Sequence, residues 1–291
     1  MKALQERDLA GPVTVHLDDT GYSGPALSPQ WHERVIHVDV SPVTPIATYG
    51  GRRIGEEWGQ RVPDPAVHAA QVFRQQLLAH ARSQDVAITV SPTITRGAPP
   101  QSASAVRLAE VRSATVAEQV QFMLHESDNL TAEAMARNTA LAAGHPGSFA
   151  GGAAAVREVL EAETQDLAGL ELADGSGLSG YTTITAEQLA RAVRLAGRSE
   201  QTVAAVQGLP LAGQEGTLEN RMAGTAAEGR ARGKTGTLGS VATLAGVVVT
   251  ADGRELAYGI LANDQRGRLP QARTMIDRAV VTLAECGCRA D

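Results

Sequence analysis

The chain has 291 residues, 43% of them hydrophobic, enough to bury a sizeable core and long enough for two domains. Its net charge is −6, and its 26 lysines and arginines are scattered among 32 acidic residues with no basic block, which excludes nucleic acid as the main partner. No apolar run approaches the length of a membrane span, and the opening MKALQERDLAGPVTV carries charge with no apolar stretch behind it, so neither a membrane span nor a secretory signal is expected.

In chain order, PVTVHLDD (Pro12 to Asp19) and RVIHVDV (Arg34 to Val40) alternate apolar and polar residues and are predicted strands. The turn-rich runs GYSGPALSP and SPVTP follow them, so this opening is expected to be a small β-rich unit. Asp64 and Pro65 supply a cap and a first-turn proline for a helix carrying Phe73, Leu77 and Ala81 at helical spacing. A short strand in VAITV and the loop TRGAPPQSAS come next.

Thr115 and Glu118 form a capping-box pattern ahead of Val116, Val120 and Leu124, and this helix runs into HESDN before another begins near Leu130. Further helices are predicted over Gly152 to Glu163 and Thr185 to Ala196, with the glycine-rich loop DGSGLSGY between them. Three strands are then expected, through RGKTGT, VATLAGVVVT and ELAYGILAN, with a turn at Ala251, Asp252 and Gly253. A closing helix starts at Pro270, with Met275, Ala279 and Leu283 on one face.

The two cysteines, Cys286 and Cys288, lie in the tail ECGCRAD and read as incidental thiols, since one residue between them makes neither a disulfide framework nor a zinc site. The seven histidines show no HExxH or comparable spacing and read as scattered surface or core residues; no cofactor and no metal are expected.

Only two lysines exist, Lys2 and Lys234, and the second sits in GRARGKTGTLGS. Read as a phosphate-binding Walker A loop, Gly-Lys-Thr needs a glycine where Glu228 stands and a helix afterwards, and the pattern that follows is a strand. Ser127-Asp128-Asn129 lies between two helices, 107 residues upstream (234 − 127). Alone it reads as a turn capping a helix. The two triplets in this order match two of the three elements shared by penicillin-binding proteins and class A β-lactamases, the third being Ser-x-x-Lys.

On these motifs the chain resembles the D-alanyl-D-alanine carboxypeptidase/endopeptidase family of low-molecular-mass penicillin-binding proteins, peptidase family S13. VTVHLDDTGYSGP, PDPAVHAAQVFRQQL, HESDNLTAEAMAR, DGSGLS, GQEGTLENR and GKTGTLGSVATLAG carry the resemblance, which extends over nearly the whole chain. It implies an α/β (α+β) penicillin-recognising fold, an antiparallel sheet beside a helical lobe. Residues 1–62 would be the C-terminal remnant of an inserted β-rich domain, and residues 63–291 a penicillin-binding domain without its Ser-x-x-Lys segment. That motif is absent: Lys2 has no residue three positions before it, and Lys234 has Ala231 there. The expectation is an N-terminally truncated chain, inactive by itself in acylation and unlabelled by a fluorescent penicillin, with core surface and a sheet edge exposed.

The resemblance also implies roles. Ser127 would relay a proton to the leaving amine, Asn129 would offer its amide to the substrate's peptide carbonyl, and Lys234 would supply positive charge beside Ser127. Thr235 and Thr237 would hold the substrate's terminal carboxylate, Gly236 would let substrate backbone lie against the strand, and the Thr237 N–H would be an oxyanion donor. Asp128 reads as a helix cap, and Asp174, Ser176 and Ser179 as turn residues, because DGSGLS is not a G-x-S-x-G elbow. Glu215 and Arg221 read as structural. The implied partners are peptidoglycan peptides ending in D-Ala-D-Ala, and β-lactams, and the implied location is outside the cytoplasmic membrane. The alternatives are a non-catalytic D-Ala-D-Ala-binding remnant, or a β-lactamase or esterase of the same superfamily.

Overall fold

The computed structural model describes residues 4, 6–7, 10–53, 59–98, 105–163 and 166–287. They divide into two compact units, Met1–Ser113 with Glu133–Gly152, and Ala114–Ala132 with Ala153–Asp291.

In the first unit, strand β1 (Gly11–Leu17) pairs in parallel with β2 (Ile88–Arg96). Parallel neighbours need a crossover. Helix α1 (Pro65–Ser83) lies within it, its first turn closed by the Asp64 carboxylate, which accepts from the Val67 N–H at 3.0 Å. Val15 and Leu17 of β1 bury against Ala66 and Ala70 of α1, with Leu77 and Ile94 at the margin. Phe73 departs from its expected place on the buried stripe: it is 58% exposed, and the packed face runs through Ala66, Ala69, Ala70 and Ala81.

RVIHVDV is not a strand. It forms a 3-10 turn over Glu33–Val35 and then doubles back, with His37 at φ 63° and its N–H donating to the Val40 carbonyl at 2.8 Å. The buried Arg61 guanidinium donates to the carbonyls of Gly50 and Asp39, at 2.5 and 2.9 Å, satisfying backbone that a neighbouring strand would otherwise serve. Val35 and Val40 are still buried, but Val38 between them is 62% exposed, so the turn meets only part of the apolar alternation.

Helix α2 (Val116–Glu126) opens with the expected reciprocal capping box of Thr115 and Glu118. Helices α3 (Asn129–Ala142) and α4 (Phe149–Glu163) carry the chain into the first unit and back. Within that unit Arg137 of α3 is 1% exposed, donates to the Pro25 carbonyl at 2.7 Å and stacks 4.4 Å from the Phe149 ring centroid.

The second unit is built on an antiparallel sheet ordered β3 (Ala231–Leu238), β4 (Val241–Val249), β5 (Glu255–Ala262). One face, with Ala231, Leu244, Val248 and Tyr258, packs on Ala272, Ile276, Val280 and Ala284 of helix α7 (Leu269–Glu285). The opposite face turns Val247 toward Leu124 of α2, Val193 and Ala196 of α5 (Ala186–Ala196) and Val206 of α6 (Val203–Gln207). The fold is therefore mixed α/β, an antiparallel sheet between helices, as expected. The buried stripe of α7 differs from the predicted one: Met275 is 61% exposed. Cys286 is disulfide-bonded, correcting the expectation of a thiol; Cys288 lies outside the described residues.

Candidate active site

The Ser127 triplet is the joint between α2 and α3. The Ser127 N–H closes α2 on the Met123 carbonyl, and the residue sits in the left-handed region at φ 54°, ψ 43°. For a residue other than glycine that conformation costs about 1 kcal/mol or more. Asp128 next receives the Thr131 N–H on its carboxylate at 2.7 Å, so it caps α3, the part read for it from the sequence. Asn129 is the first residue of α3 and half-buried.

Strand β3 supplies the other wall. Its odd-numbered residues turn their N–H groups away from β4: the Gly233 N–H donates to the Pro210 carbonyl at 3.0 Å, while Val249 N–H crosses to the Arg230 carbonyl. By the same alternation the Thr235 and Thr237 N–H groups point out along the strand's free side. Pro210 to Ala212 cover that side only as far as Gly233. Beyond it no strand pairs with β3 among the described residues.

Lys234 meets the helix joint. Its Nζ donates to Ser127 Oγ at 2.7 Å and to the Thr235 carbonyl at 2.9 Å. Burial penalises the charged amine and pushes its pKa down from 10.5 to about 8. Among the described residues no carboxylate lies within ion-pair distance of it, and its protein hydrogen-bond acceptors are these two oxygens.

Thr235 Oγ1 donates to Thr217 Oγ1 at 3.1 Å. Thr217 belongs to the 3-10 turn Gly216–Leu218 in GQEGTLENR, a segment read from the sequence only as a structural loop. The adjacent Glu215 carboxylate lies 3.4 Å from His125 Nε2 on α2 and 3.6 Å from Arg232 Nη1 on β3, so this loop touches both walls. Thr237 is exposed opposite Ala242. Gly236 faces Thr243, whose hydroxyl occupies the space a Cβ would take. Packing alone is therefore a reason for glycine there.

The remaining candidates are structural. Arg221 makes a forked ion pair with Asp277 of α7, at 2.5 and 3.1 Å. Asp174 is buried and accepts from the Gly177 and Ser179 N–H groups at 2.9 and 2.7 Å, pinning the DGSGLS turn. Among the described residues no group of three or more His, Cys, Asp or Glu side chains has the geometry of a metal site.

The family model of D-Ala-D-Ala carboxypeptidase 3 (S13) matches residues 52–285. A carboxypeptidase DacB of Mycolicibacterium smegmatis is 36% identical over 284 residues, covering 95% of the present chain and 59% of that protein. A D-alanyl-D-alanine carboxypeptidase of an Actinomadura species is 33% identical over 253 residues, 85% of the present chain and 43% of that protein. The chain thus spans less than two thirds of these relatives' length. The crystal structure of penicillin binding protein 4 from Haemophilus influenzae superimposes with a TM-score of 0.79 over 98% of the present chain and 78% of that one. At 18% identity this is a likeness of fold.

Proposed function

The chain belongs to the D-Ala-D-Ala carboxypeptidase 3 (S13) family, and on that premise we propose that its second unit is the substrate-holding wall of a serine D,D-peptidase cleft. The observation that carries the reading is the 2.7 Å contact between Lys234 Nζ and Ser127 Oγ, which unites the two motifs. We propose that residues 1–62 belong to an inserted domain and residues 63–291 to the penicillin-binding domain, working outside the cytoplasmic membrane.

The substrate class is a peptidoglycan stem peptide ending in D-Ala-D-Ala, with β-lactams as its mimics. The terminal carboxylate is held by the hydroxyls of Thr235 and Thr237, beside the positive charge of Lys234. The peptide backbone runs along the uncovered side of β3, taking hydrogen bonds from outward N–H groups as an added strand does. The Thr237 N–H faces the carbonyl oxygen that becomes the oxyanion. Asn129 donates its amide to the substrate's peptide carbonyl, and the Ser127 hydroxyl, biased by the Lys234 ammonium, passes a proton toward the leaving amine.

Residues 1–291 contain no Ser-x-x-Lys, so by themselves they bind this substrate without the acyl-enzyme that such a serine forms. Calorimetry with an N-acylated peptide ending in D-Ala-D-Ala tests the binding half. Heat of binding that disappears when the terminal carboxylate is amidated is expected, and no heat at millimolar peptide sinks it. A fluorescent penicillin tests the other half: the purified chain is expected to stay unlabelled, and a covalent adduct on it would overturn this reading.

A further inference from the structure

Ser127 and Lys234 have a geometry that the transfer roles above do not exhaust. A serine hydroxyl becomes a nucleophile when a base sits within hydrogen-bond reach and a third group orients that base. Here Nζ lies 2.7 Å from Oγ, and the Thr235 carbonyl, 2.9 Å away, fixes the amine. Serine–lysine pairs of this kind perform nucleophilic catalysis on unrelated folds. We propose that in this chain Ser127 is itself a nucleophile, with Lys234 as its general base, toward small activated esters and phosphonofluoridates.

Three further observations support the assignment. Ser127 has a left-handed backbone conformation at the end of α2, its N–H bonded to the Met123 carbonyl while the following Asp128 caps α3, so the backbone that carries the hydroxyl is pinned on both sides. Both side chains are half-buried, leaving an approach from solvent. Burial, with no carboxylate in ion-pair reach among the described residues, lowers the amine's proton affinity, so a neutral Nζ able to accept a proton is present in mildly alkaline solution.

The chemistry balances without a further reactant. The neutral Nζ takes the Oγ proton as Oγ bonds to the acyl carbon or the phosphorus. The bond to the leaving group breaks, and phenolate or fluoride departs with the electron pair. No Ser-x-x-Lys and no terminal carboxylate on the substrate are needed, so this activity is separable from D-Ala-D-Ala binding.

The test uses the 291-residue chain and a fluorescent alkyl phosphonofluoridate, with the adduct mapped by peptide mass spectrometry. A single adduct on Ser127 is expected, abolished by Ser127→Ala and by unfolding the wild-type chain in denaturant. Lys234→Arg is the discriminating variant, since it keeps the cation and hydrogen-bond donors but cannot act as a base. Loss of a general base lowers the labelling rate by about a hundredfold or more, and Lys234→Met should do the same. No adduct, an adduct on another residue, or wild-type labelling in Lys234→Arg overturns the proposal. These outcomes are read on the wild-type chain and a charge-conserving variant, so they do not depend on the alanine variant folding.

Discussion

Lys234 Nζ lies 2.7 Å from Ser127 Oγ, joining a strand residue to a helix end 107 positions earlier. The contact places a half-buried ammonium where a ligand carboxylate would be its only ionic partner among the described residues. Lys234→Met is therefore expected to weaken binding of a D-Ala-D-Ala peptide by about tenfold to a hundredfold, the range for a hydrogen bond to a charged group. Calorimetry at fixed salt measures it, and unchanged affinity would remove Lys234 from the binding wall.

The same lysine makes stability depend on pH. Its native pKa is about 8 against an ordinary 10.5, so between these values the unfolded chain binds more protons than the native one and stability rises with pH. Tyr258, whose hydroxyl is pushed upward by burial, acts in the opposite direction above its ordinary 10.0. Urea midpoints should climb between pH 8 and 10, and Lys234→Met should flatten the climb relative to wild type.

Thr235 and Thr237 are predicted to serve the ligand rather than the fold. Thr235→Val and Thr237→Val should each cost about tenfold in peptide affinity, near the value of one hydrogen bond to a charge, with thermal midpoints close to wild type. A large drop in midpoint with unchanged affinity would assign the hydroxyls to folding.

Gly236 is constrained by the Thr243 hydroxyl opposite it. Gly236→Ala should destabilise the chain by about 1–3 kcal/mol, the usual cost of an overpacked site. Thr243→Ala in the same chain should recover most of that loss in chemical denaturation, and the absence of recovery would point to backbone conformation instead.

Arg221 and Asp277 tie GQEGTLENR to α7 through a largely buried forked pair. A double-mutant cycle with alanine at both positions should give a coupling of about 1–3 kcal/mol, well above that of an exposed pair. Additive single effects would show that the pair contributes nothing beyond each side chain's packing.

The amino-acid sequence by itself determined what is written in short-range hydrogen bonds and unbroken patterns. The capping box predicted at Thr115 and Glu118 acts within one helical turn and is present, and the helix predicted from Thr185 opens with a second such box, closed by Gln188. The three strands of the sheet follow one another through short turns, so their antiparallel order was legible. Ser127, Asn129 and Lys234 stood out because the order of their triplets carries chemistry.

Tertiary structure decided the rest. RVIHVDV has the alternation of a strand, but Arg61 takes the Asp39 carbonyl within it, and a turn buries Val35 and Val40 while leaving Val38 exposed. Met275 shares a helical period with the buried face of α7 and yet points to solvent, because the sheet meets Ile276 and Val280. Thr217 carried no signal of its own, and only the packing of its loop against β3 brings it to Thr235. The proton affinity of Lys234 belongs to this class as well, for desolvation depends on how the helices and the sheet close around one amine, which no local pattern encodes.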